Sequence, residues 1–245
     1  MAATAEVQIP AEDAIIEKKM NNLSLGSSQL TDDTARPLKI PIAHPPTHLS
    51  PPPTNELTAD QLKKYEALLA TVKEWKDIPS TKGKEGPITE DEIMWLTQEC
   101  LLRYLRATKW VTAEAAKRLL ATLTWRREYE TDSREPEDVS IEGETGKQFI
   151  VGYDNGARPC LYMNPGRQNT EPSPRQLHHM VFMIERVLDL APPGQEKLTL
   201  VINFKTSGTR TNTAPGIGQG REALGILQNH YPERLGRALI LNGMF

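Results

Sequence analysis

From Lys197 to Phe204 the chain reads Lys-Leu-Thr-Leu-Val-Ile-Asn-Phe. A near-continuous apolar run of this length predicts a strand covered on both faces, and such strands belong to α/β sheets with helices packed over them. The neighbouring segments fit that architecture. Two strand-like runs lie within residues 147–164, on either side of Asp154-Asn155-Gly156, whose small polar residues suit a turn. Pro174 opens a helix in which Leu177, Met180, Val181, Ile184, Val187 and Leu188 recur on one face. Residues 218–230 read as another helix, and Arg237-Ala-Leu-Ile-Leu-Asn242 as a closing buried strand. The alternation of strand and helix predicts an α/β lobe over residues 136–245.

Upstream the period is helical throughout. Thr58 and Gln61 form a capping-box pattern ahead of Leu62, Tyr65, Leu68, Leu69, Val72 and Trp75, which recur at three- and four-residue steps. After a breaker over residues 77–87, Thr89 and Glu92 repeat the box and predict one helix through Ile93, Leu96, Leu101 and Leu105. Thr112 is placed to cap a third helix, with Ala116, Leu119, Leu120 and Leu123 on its inner face. Residues 56–135 are therefore expected as an all-helical lobe.

Seven of the 19 prolines fall between Pro37 and Pro53, a density that cannot sustain helix or sheet ladders, so residues 1–55 are expected as a disordered, Pro-rich tether. Residues 1–60 carry eight acidic and four basic side chains, which leaves 24 acidic and 25 basic residues beyond them. A body so near neutral offers no long-range field for nucleic acid. Cys100 and Cys160 are too few for a disulfide framework and are not clustered as metal ligands, which fits a reduced, intracellular setting. The first residues lack the basic start and apolar stretch of a signal peptide, and no run of 18 apolar residues occurs, so any membrane contact is expected to be peripheral.

The motifs that suggest chemistry are few. Gly216-Ile-Gly-Gln-Gly220 invites a dinucleotide reading, but a phosphate turn follows its strand at once, and about a dozen residues separate Phe204 from Gly216 here. His178 and His179 are adjacent, so on a helix they point about 100° apart and cannot share a metal. Asp154 and Asn155 lack the further oxygens that calcium requires. No nucleophile, base and orienting acid assemble by spacing, so no catalytic residue, cofactor or metal is expected. Two stretches point elsewhere. Arg103, Arg106 and Lys109 stand at three-residue steps beside Leu101, Leu102 and Leu105, a basic stripe that by itself is a solvated face. In Tyr231-Pro-Glu-Arg-Leu-Gly-Arg237, Pro232 forces Tyr231 out of helix and displays Glu233 and Arg234 at a helix-to-strand corner, where a ligand or a salt bridge is equally at home.

Together these stretches resemble the CRAL-TRIO family of lipid-exchange proteins, and among them the fungal phosphatidylinositol transfer proteins. The helical segment 101–129, the turn 154–162, the strand 200–205 and the segment 221–242 match in order. The resemblance implies an α/β fold with a helical N-terminal lobe and a lipid-binding lobe whose sheet floors an apolar cavity. It implies no enzymatic activity. Inositol, a ring of hydroxyls bearing a phosphate, calls for a carboxylate acceptor and cationic donors. By resemblance, Glu233 is the inositol-contacting glutamate, Arg234 its neighbour, and Lys109 the lysine closing the basic helix motif.

Three departures from the family pattern carry expectations of their own. Thr108 stands where many relatives have an arginine, which removes one cation. Leu198 and Leu200 stand where relatives that exchange phosphatidylcholine carry hydroxyl residues, which shifts the second ligand toward an apolar lipid such as a sterol. The chain ends in Gly243-Met-Phe245, where relatives continue into a gate helix and a further strand, so the lipid-binding lobe is expected to be incomplete at its C-terminus. The sequence thus predicts a cytosolic carrier of phosphatidylinositol that touches membrane surfaces transiently and binds no nucleic acid. The rival readings are a lipid-sensing scaffold that transfers nothing, and a nucleotide-dependent enzyme built on residues 216–220.

Overall fold

The computed structural model describes residues 42–53, 56–205 and 217–243. Its helical part is built from capped turns. Helix α1 (Ala59–Lys73) starts with the full capping box: Gln61 N donates to Thr58 Oγ1 at 3.2 Å, and Thr58 N to Gln61 Oε1 at 3.0 Å. A short ladder of β1 (Asp77–Ile78) with β2 (Gly86–Pro87) follows. The single helix predicted from Thr89 through Leu105 is two helices, α2 (Glu90–Trp95) and α3 (Gln98–Ala107). Thr97 causes the break. Its backbone leaves the helix at ψ 166°, and its hydroxyl accepts from Cys100 N at 3.2 Å, capping a new start. In α4 (Thr112–Tyr129) the N-cap is Val111, one residue before the expected Thr112. α1, α3 and α4 close over Leu68, Leu101, Tyr104, Leu105, Ala115 and Leu119, each fully buried.

The hydrophobic period predicts no element between Arg134 and Lys147, yet α5 (Pro136–Gly143) lies there. Pro136 occupies its first turn and Asp138 Oδ2 accepts from Glu135 N at 3.1 Å, so its signal is in the cap rather than the period. The main sheet has the order β3 (Gln148–Tyr153), β4 (Pro159–Met163), β5 (Leu198–Asn203), β6 (Leu235–Leu241). β3 and β4 form an antiparallel hairpin, and β5 and β6 then add in parallel. The intervening helices α6 (Pro174–Asp189) and α7 (Ile217–His230) bury Leu177, Val181, Ile184 and Ile226 against Leu161 and Leu198 of the sheet.

Asp154 fixes the hairpin turn to the sheet centre. Its carboxylate accepts from Gly156 N at 2.8 Å, Arg158 N at 3.1 Å and Thr199 Oγ1 of β5 at 2.7 Å. The opposite end of the sheet differs from expectation. The closing strand predicted to be buried is an edge strand, and every residue of β6 is exposed: β5 pairs with one edge, and no other described element covers its faces.

Of the proline-rich stretch, residues 42–53 form neither helix nor strand but are anchored, because the Tyr153 hydroxyl donates to Ala43 O at 2.8 Å as well as to Leu190 O at 3.0 Å. The rest of the expected tether, with Gly216 of the glycine-rich motif and the final Met244 and Phe245, lies outside the described residues. No described helix is long and apolar enough to cross a membrane.

Candidate functional site

The three cations of α3 and its C-terminal end meet different fates. Arg103 is 2% exposed, where the stripe predicts a solvated face. Its position explains this: three residues after Cys100, it shares the inward side of the helix. Its Nη2 donates to Cys100 Sγ at 3.3 Å and its Nη1 to Pro232 O at 3.3 Å. Arg106 Nη2 donates to both carboxylate oxygens of Glu196 at 2.9 Å. Lys109 lies past the helix end, exposed, with φ 52°. Thr108 ends α3 by donating from Oγ1 to Tyr104 O at 2.9 Å, so the residue standing in place of a cation serves the helix terminus.

The corner after α7 is held from several sides. Tyr231 is buried, and its hydroxyl donates to Glu185 Oε1, which also accepts from Arg126 Nη1 at 3.0 Å. Burial and the Glu185 carboxylate push the Tyr231 phenol well above its usual range. Burial alone would weaken the proton affinity of Arg126, but Glu185 and Asp132 raise it, so the pair stays charged. Glu233 is exposed and takes a left-handed backbone, φ 61°. Arg234 is half-buried: its Nη1 donates to Glu196 O at 2.9 Å, and its own carbonyl accepts from Leu198 N at 2.9 Å. Burial, then the nearby Arg103 charge, lowers the Arg234 pKa to about 10. At Gly236 a Cβ would fall 2.5 Å from Arg158 Cδ and Nε, so the chain turns into β6 where only glycine fits without displacing that side chain.

The structure thus joins two stretches 129 residues apart through the Arg103–Pro232 hydrogen bond. Lys109 and Glu233 are exposed on the two joined elements, and neither makes an ion pair with another described residue. Arg234 is turned inward, onto Glu196. Leu198 and Leu200 share one face of β5; Leu198 is 4% exposed in the core under α6 and α7, and partly buried Leu200 packs against that core. Sequence reasoning missed Glu196, which sits in a loop with no periodicity to mark it. Of the two histidines, His178 packs edge-on to the Tyr129 ring at 4.8 Å. His179 is buried, and burial followed by the Lys147 charge lowers its pKa to about 4.

A carboxylate accepts from hydroxyl donors and an ammonium donates to an anionic group, the two chemistries that Glu233 and Lys109 expose. Residues 143–243 match the CRAL/TRIO domain, and residues 64–121 match the CRAL/TRIO N-terminal domain. This chain belongs to the CRAL-TRIO family. It is 49% identical over 205 residues to a CRAL-TRIO domain-containing protein of Schizosaccharomyces pombe, an alignment covering 82% of this chain and 20% of that protein. It is 40% identical over 223 residues to the phosphatidylinositol transfer protein PDR17 of Saccharomyces cerevisiae, covering 83% of this chain and 64% of that protein. The chain therefore spans less than two thirds of the length of either relative. The crystal structure of Sfh5 has a similar fold, with a TM-score of 0.53 at 16% identity, over 78% of this chain and 73% of that one. This CRAL-TRIO chain thus joins helices to a mixed sheet, and the segment expected to be all-helical is interrupted by the short β1–β2 ladder.

Proposed function

We propose that this CRAL-TRIO protein binds phosphatidylinositol and carries it between membranes. The reading rests on one observation above others: the helix leading to Lys109 is hydrogen-bonded to the corner that carries Glu233, and both side chains are exposed. In this reading Glu233 accepts hydrogen bonds from inositol hydroxyls and Lys109 donates to the phosphate. The 40% identity to a protein named for phosphatidylinositol transfer supports the choice of head group. Arg234 acts from behind, through Glu196, rather than as a direct donor. Leu198 and Leu200, expected to set a second lipid such as a sterol in place of phosphatidylcholine, lie on the face of β5 packed under α6 and α7, so the choice of second lipid is not assigned to them. The action is non-covalent capture and release during transient contact with a membrane surface from the cytoplasm.

The test is transfer of labelled phosphatidylinositol between vesicles, with thermal melts alongside. Glu233→Ala removes a charged acceptor, a loss of about 1.5 to 3 kcal/mol, and should weaken binding by about one to two powers of ten while the melting temperature holds. Lys109→Ala should act in the same direction. Unchanged transfer by both variants would remove the head-group assignment and leave the family membership standing.

A further inference from the structure

Glu233 is a non-glycine residue in left-handed backbone, a conformation that persists where the surrounding structure over-determines it. The residues on either side of it are the ones the structure holds. Pro232 O accepts from Arg103 Nη1, and Arg234 donates from Nη1 to Glu196 O and from its backbone N to Tyr231 O at 3.3 Å. Arg103 is a buried guanidinium whose Nε has no hydrogen-bond partner and lies 4.0 Å from Glu196 Oε2. Glu196 also takes both bonds from Arg106. One carboxylate therefore faces both Arg103 and Arg106, while one buried cation donates to the carbonyl just before Glu233.

If the only task here were to cement helix to sheet, apolar side chains would do it without the cost of burying a guanidinium. A guanidinium does what they cannot: it fixes the direction of a carbonyl, and with it the peptide leading into Glu233. We propose that Arg103 and Glu196 are positioning residues, which hold the Pro232–Arg234 corner in the conformation that presents Glu233 to its ligand. This rests on the reading of Glu233 as a head-group contact. The dependence of recognition on a buried residue of the helical lobe is new to it.

A purely structural role and a positioning role separate in a double-mutant cycle on the full chain. The readout is the rate of phosphatidylinositol transfer between vesicles, at protein concentrations that keep the Glu233→Ala rate above the protein-free rate. Arg103→Lys keeps the charge but loses the fork, and should slow transfer about tenfold in the wild-type background. In the Glu233→Ala background the same change should cost less than about twofold, since the residue it positions is gone. Equal losses in both backgrounds, or none in the first, overturn the proposal. Glu196→Gln, nearly isosteric, runs through the same cycle with an expected loss of about threefold, and decides the matter if Arg103→Lys does not fold. Failure of the head-group reading is distinguishable: Glu233→Ala would then transfer at the wild-type rate, and both readings would fall together.

Discussion

β5 and β6 are parallel neighbours of similar composition, with Val201 paired to Leu239 and Ile202 to Ile240. Their surroundings are opposite. Leu198 and Val201 are 4% and 7% exposed, whereas Leu239 and Ile240 are 44% and 50% exposed. Both strands carry apolar runs, β-branched in β5 and leucine-rich in β6; burial comes from what lies across their faces and edges. β5 has a strand on each side, α6 and α7 over one face, and a part-buried hydrogen bond from Thr199 to the Asp154 turn on the other. β6 has β5 alone.

The comparison breaks most readily at Leu198. Leu198→Ala removes a buried side chain from the cluster under α6 and α7, and should cost about 2 to 5 kcal/mol, read from the urea midpoint. A loss below about 1 kcal/mol would mean that β5 is not the centre of this core.

Thr199 tests the polar face of the same strand. Thr199→Val strips one of the four donors that the Asp154 carboxylate accepts from, at an expected cost of about 1 to 3 kcal/mol. It should also alter the response to acid. Burial alone would raise the Asp154 pKa, but hydrogen bonds from Thr199, Arg158 and Gly156 hold it below the usual carboxylate value. A folded pKa lower than the unfolded one gives stability that is present above the unfolded value, near 4, and lost as pH falls through the folded value. Urea midpoints at pH 7 and pH 3 should therefore converge in the variant relative to wild type. Identical differences in the two proteins would show that Thr199 does not hold this carboxylate ionised.

The smallest expected effect is at the edge. Leu239→Ala should change stability by less than about 0.5 kcal/mol, as surface substitutions do. A cost approaching that of Leu198→Ala would erase the contrast between the strands and show β6 to be covered in solution.

What the sequence made legible was local or periodic. The two capping boxes, the amphipathic face of α6 and the apolar run of β5 each carry their signal within a few residues, and each stands where it was read. The break at Thr97 escaped because the apolar steps continue across it, although its hydroxyl is a sufficient cap. α5 escaped because Pro136 and Asp138 mark it by capping. β6 was misplaced because burial depends on neighbours remote in sequence. In the proposed site, Glu233 and Lys109 are named through the family resemblance, while the burial of Arg103 and the contacts of Arg106 and Arg234 with Glu196 are not legible in the sequence. The Arg103–Pro232, Arg106–Glu196 and Arg234–Glu196 contacts span 129, 90 and 38 residues, and each starts from a cationic side chain that, read alone, belongs on a surface.

A tyrosine hydroxyl carries one proton, and at Tyr153 that proton faces two carbonyls, Ala43 in the proline-rich segment and Leu190 just past the end of α6. When the segment lifts away, the proton turns wholly to Leu190 and no donor is stranded, so detachment costs less than an outright broken bond. Release of residues 42–53 at this point would be an exchange between acceptors rather than a rupture, because the hydroxyl keeps Leu190 to turn to and the sheet beneath it is left as it was.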